Sequence, residues 1–158
     1  MSGPVRIVLR DENHLRAHLD DFRVPLERAL EWTRARLEAS PRRSGEEHFD
    51  FAAPEVVGVT GLKRIRPWTR GAFWAPRPGR TLPSHLWPGR KRPTRRLCVW
   101  GAWQEGGLFV LHTLYPGRAA PREIHDPDLS PADLPRALAF WSRHAIVVSP
   151  PRTEHGVR

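Results

Sequence analysis

Arg96-Leu97-Cys98-Val99-Trp100-Gly101-Ala102-Trp103 runs into Gln104-Glu105-Gly106-Gly107 and leaves through Leu108-Phe109-Val110-Leu111-His112-Thr113-Leu114-Tyr115. Two apolar runs separated by a short polar segment ending in a glycine pair predict an antiparallel hairpin. Both runs are apolar on both faces, which places the pair in the centre of a sheet. Simple alternation sets His112 and Leu114 on one face and Thr113 and Tyr115 on the other. The polar residues can share one face only if a bulge intervenes.

Working outward, Val5 to Leu9 reads as a short strand. Asp11 is a plausible helix cap, and Leu15, Leu19 and Phe22 recur at helical spacing. Pro25 suits a first helical position, and Leu26, Leu30, Thr33 and Leu37 mark a second apolar stripe. Two helices, or one kinked helix, are expected to end near Ser40. Residues 41–48 read as loop. Phe49 to Ala53 and Glu55 to Ile65 read as extended, with bends at Gly58 and Gly61. Residues 75–95 carry Pro76, Pro78, Pro83, Pro88 and Pro93, which predicts a long irregular excursion rich in Pro and Trp. Ser130-Pro131-Ala132-Asp133 then opens a helix whose buried stripe is expected to be Leu134, Leu138 and Trp141. Ala145 to Ser149 reads as a last strand and 150–158 as a flexible tail. The expectation is one α+β domain over 1–149. Its N-terminal helices and C-terminal helix pack on a twisted, mainly antiparallel sheet.

Charge is placed unevenly. The chain holds 26 Lys and Arg against 17 Asp and Glu, net +9. Residues 56–104 contain eleven of those cations and no carboxylate. The ratio of 24 Arg to 2 Lys fits a GC-rich genome. That bias explains Arg in place of Lys and leaves the missing carboxylates unexplained. An acid-free basic window interleaved with Trp68, Trp74, Trp87, Trp100 and Trp103 fits a polyanion, and RNA is favoured over DNA. The single cysteine, Cys98, excludes an internal disulfide and a multi-thiolate metal site, and its apolar surroundings predict a buried, inert thiol. The apolar run near the N-terminus is too short for a signal peptide or a membrane span, so a cytoplasmic protein is expected.

Several chemistries lack their motifs. No phosphate loop ends in Lys-Ser or Lys-Thr, no GxGxxG follows a strand, and no Gly-x-Ser-x-Gly elbow is present. His14 and His18 have the spacing of two metal ligands on a helix, but no Glu follows His14 and no Cys is near. No metal and no cofactor are expected.

The basic segment supplies Arg77, Arg80, Trp87, Arg90, Lys91, Arg92, Arg95 and Arg96 as candidate nucleic-acid-binding residues. Guanidinium forks suit phosphate oxygens and indole faces stack unpaired bases. Cleavage of RNA by attack of a 2′-hydroxyl on the adjacent phosphorus needs a base, an acid and charge stabilisation. Imidazole serves as either at neutral pH. His85, His112 and His125 are the candidate catalytic residues, with His85 and His112 the favoured pair and Arg80, Arg92 and Arg95 the phosphate clamps.

Leu108-Phe-Val-Leu-His-Thr-Leu-Tyr-Pro-Gly117 resembles the closing strand of small bacterial RNase toxins of the barnase/RelE-like superfold. The order of leading helices, basic Pro-rich segment and antiparallel sheet is similar too, and the resemblance covers roughly residues 80–117. It implies metal-independent endoribonuclease activity and an acidic inhibitor protein as partner. It assigns no catalytic residue, and Ser130 to Ser149 lies outside its pattern. Two other readings use the same residues: a non-catalytic nucleic-acid-binding protein, and a module docking on an acidic protein.

Overall fold

A computed structural model of the chain describes residues 3–11, 15–66 and 70–149. In chain order the elements are β1 (Arg6–Leu9), α1 (Leu26–Glu38), β2 (Glu46–Ala52), β3 (Gly58–Thr60), β4 (Leu62–Arg64), β5 (Phe73–Pro76), β6 (Pro83–Pro88), β7 (Arg92–Thr94), β8 (Arg96–Gln104), β9 (Leu108–Pro116), α2 (Leu134–Trp141) and β10 (His144–Val148). The mixture of helices and mainly antiparallel sheets is α+β. Two compact units share the chain: residues 1–60 with 92–119, and residues 61–91 with 120–158. Among the described residues no helix is long and apolar enough to cross a membrane.

The first unit is built on the hairpin. Its sheet runs β1-β9-β8-β2, with β8 and β9 central and only β1 and β9 parallel. Gly106 and Gly107 take φ of 72° and 73°, the left-handed conformation that makes the reversal accessible to glycine. One face of the sheet packs Leu97, Val99, Phe109, Leu111 and Leu114 against Ala29 and Leu37 of α1. Phe49 and Phe51 of β2 join that core, so His48 and Asp50 point to the other face. β3 and β7 form a separate two-stranded ribbon.

The second unit has a sheet of order β4-β10-β6-β5, in which β10 and β6 are parallel and the other pairs antiparallel. Leu86, Ala137, Trp141, Ala145 and Val147 are buried.

Four expectations change. The N-terminal stretch is two separate segments and not one kinked helix: Leu15 and Arg16 are helical, with residues 12–14 outside the described ones, a 3₁₀ turn follows at Leu19–Asp21, and α1 comes after it. Phe22 is extended (φ −74°, ψ 141°) and bridges Gly58, so the chain leaves helical geometry before Pro25. Just over half of residues 75–95 are strand: Pro76, Pro83, Pro88 and Pro93 sit at strand ends, on the edge strand β5 or in the two-stranded ribbon, and Pro78 lies in the turn between β5 and β6. The buried face of α2 is Ala137 and Trp141, while Leu134 and Leu138 are exposed. The two helices belong to different units, α1 to the first and α2 to the second. The expected tail at 150–158 lies outside the described residues.

Candidate nucleic-acid interface

In the second unit β5 and β6 pair so that Trp74 lies opposite His85. Their rings stack at 4.8 Å with 17° between planes. His125, in the loop before α2, meets Trp74 edge-on at 5.0 Å. One indole thus touches two of the three expected catalytic histidines. Trp74 is 38% exposed, enough to be reached from solvent. The His85 ring is fixed from behind: Nδ1 lies 2.7 Å from the carbonyl of Trp141. A carbonyl only accepts, so Nδ1–H donates and the neutral ring keeps its lone pair on Nε2.

Glu123 organises the loop between β5 and β6. Its carboxylate is buried and accepts from the Ser84 hydroxyl at 2.5 Å, from Arg77 at 3.2 Å and from Arg80 at 3.0 Å. Burial, the largest cause, pulls the Arg77 guanidinium below its ordinary value; Glu123 raises it again and Arg80 lowers it. Arg77 and Arg80 are therefore held in position by a carboxylate that takes part of their charge. Trp87 on β6 carries the Lys63 ammonium over its ring at 4.3 Å. Arg90 and Lys91 are exposed after β6.

The other expected residues fall in the first unit. Arg92 is exposed on β7. Arg95 donates to the carbonyls of Ala53 and Pro54 at 3.2 and 2.6 Å. Arg96 pairs with Asp50 at 2.9 Å. His112 is on β9, so the favoured pair, His85 and His112, is divided between the units and neither unit holds both. His112 occupies the bulge: Trp100 pairs with Thr113 and Gly101 with Leu111, leaving His112 the extra residue. It turns to the face away from α1, stacks on Trp100 at 5.3 Å and 20°, and takes the Arg10 guanidinium on Nδ1 at 3.1 Å. His48 reaches the same indole at 6.0 Å. Gly101 is required there, because a Cβ would lie 2.4 Å from the Phe109 ring. Cys98 is fully buried and its thiol is pushed up to about 12, chiefly by burial, against a lowering bond from Tyr115 and with Asp50 raising it. His14 lies outside the described residues; His18 packs against Tyr115 at 5.1 Å.

Sequence reasoning missed Glu123, Arg10 and His48. Glu123 is more than forty residues from its guanidinium partners, as the 46-residue separation from Arg77 shows, and only the fold joins them. His48 meets Trp100 through the β2–β8 register. Compared with protein-family models, with curated proteins and with solved structures, the chain finds no match.

Proposed function

We propose that this is an RNA-directed protein whose second unit binds single-stranded RNA and cleaves it without a metal. One observation carries the reading: the partly exposed Trp74 ring touches two imidazoles in the unit that contains residues 61–91, a stretch with eight cations and no carboxylate. A polyanion is drawn to that unit, and a base can stack against its aromatics.

In this mechanism His85 Nε2 takes the proton of the 2′-hydroxyl as that oxygen attacks the adjacent phosphorus. His125 gives a proton to the departing 5′-oxygen, and a 2′,3′-cyclic phosphate results. Arg80 and Arg77, preset by Glu123, stabilise the extra negative charge on the phosphorane oxygens. The resemblance to small RNase toxins is compatible with this chemistry and adds an acidic inhibitor protein as the expected partner.

The test is incubation of the protein with fluorescent mixed-sequence RNA in EDTA, beside an all-2′-deoxy strand of the same sequence. The reading expects cleavage of the RNA only, lost in His85→Gln with binding kept. Cleavage unchanged in both His85→Gln and His125→Gln contradicts the assignment. Salt-sensitive binding with no cleavage selects the non-catalytic reading, which the partial neutralisation of Arg77 and Arg80 by Glu123 favours. No binding at low salt leaves docking on an acidic protein.

A further inference from the structure

We propose that Arg10 and His112 form a binding site for a phosphate monoester on the first unit's sheet, on the face turned away from α1. The site is independent of the RNA reading of the second unit. Arg10 follows β1, and its backbone N–H is anchored on the carbonyl of Leu111 at 3.0 Å. Its guanidinium lies 3.1 Å from His112 Nδ1. Arginine has only donors, so Nδ1 accepts and the neutral imidazole carries its proton on Nε2. The pair therefore presents N–H groups alone: the remaining guanidinium hydrogens and the Nε2–H of His112. A donor-only pair with a permanent charge is complementary to a phosphoryl oxyanion.

Three further observations mark this place. Arg10 is exposed and pairs with no carboxylate among the described residues, whereas Arg28 and Arg96 on the same unit are paired with Glu55 and Asp50. The imidazole is held in one orientation by the bulge and by its stack on Trp100, whose own Nε1–H donates to Glu46 at 2.6 Å. Next to His112, the hydroxyl of Thr113 is buried without a hydrogen-bond partner, in a residue only 6% exposed. Buried hydroxyls without a partner are uncommon.

The test is a titration of the full chain with inorganic phosphate and with adenosine 5′-monophosphate, followed by the histidine ring nitrogens and the Trp indole signals in NMR spectra. Adenosine is the control. The proposal expects saturable shifts at His112 and Trp100 with both phosphates and none with adenosine. Arg10→Gln should weaken binding about tenfold or more, as for the loss of one charged hydrogen bond. Arg10→Lys should keep part of the affinity, because it keeps the charge and loses the fork. RNA of one sequence with a 5′-phosphate or a 5′-hydroxyl then separates a chain end from a free nucleotide as the natural carrier. The proposal is overturned if His112 shows no saturable shift with phosphate, if Arg10→Gln binds as tightly as the parent, or if adenosine shifts the same signals.

Discussion

The two units carry the same number of cations and differ in their carboxylates. The first has thirteen Lys and Arg against twelve Asp and Glu, net +1; the second has thirteen against five, net +8. Each also sets a tryptophan against two histidines, Trp100 against His48 and His112, and Trp74 against His85 and His125. The hydrogen bonds of those imidazoles differ in kind. His85 donates to a carbonyl and keeps an accepting Nε2; His112 accepts from a guanidinium and keeps a donating Nε2. The comparison teaches that similar ring geometry supports different chemistry. In the second unit the field favours a polyanion and the ring can take a proton. In the first, a nearly neutral unit offers two donors to one small anion.

The largest expected effect separates the two units directly. His85→Gln should lower RNA cleavage in EDTA by at least ~100-fold, the usual contribution of a general base, with RNA affinity nearly unchanged. His48→Gln should leave the rate as it is, and a comparable loss in that variant would break the distinction. Next comes the ion cluster. Glu123→Gln leaves the half-buried Arg77 without its counter-charge and should cost about 2 kcal/mol, below the range for fully buried pairs because Arg77 and Arg80 reach solvent. Hydrogen exchange should show faster opening of β6 and β10 and no change in β8. A smaller effect is electrostatic: Arg90→Ala should reduce the slope of log affinity against log salt by about 1, and Arg28→Ala should not alter it.

The smallest effect under ordinary conditions concerns Cys98. Its thiol is raised from 9.0 to about 12, so the folded protein holds that proton more tightly than the unfolded chain does. This contribution to stability is complete below pH 9 and is lost as pH rises through about 12. A thiol-specific reagent at pH 8 should react slowly with the native protein and rapidly in denaturant. Equal rates would mean that the thiol is accessible.

The hairpin was legible because its signal is local: two apolar runs and a glycine pair, with centrality following from the absence of a polar face. The division of residues 75–95 into strands was not, since proline at an edge or a strand end looks the same in sequence as proline in a loop. The bulge at His112 adds one residue to β9 and moves that imidazole to the face of Trp100, a shift that strict alternation cannot express. The cation-rich window was readable as charge. Its split between two units was not, because residues 92–94 return to the first unit by pairing with β3, and residues 96–104 by pairing with β2 and β9. His85 and His125 meet on Trp74, but the sequence separates them by forty positions and offers no periodicity that links a strand to a distant loop.

The measurement that tests the central claim most directly is hydrogen exchange of the full chain with and without single-stranded RNA in EDTA, at low salt. The account predicts slowed exchange in residues 61–66, 70–91 and 120–126, with β8 and β9 unaffected. Slowed exchange confined to β2, β8 and β9 would contradict it and assign the RNA to the first unit.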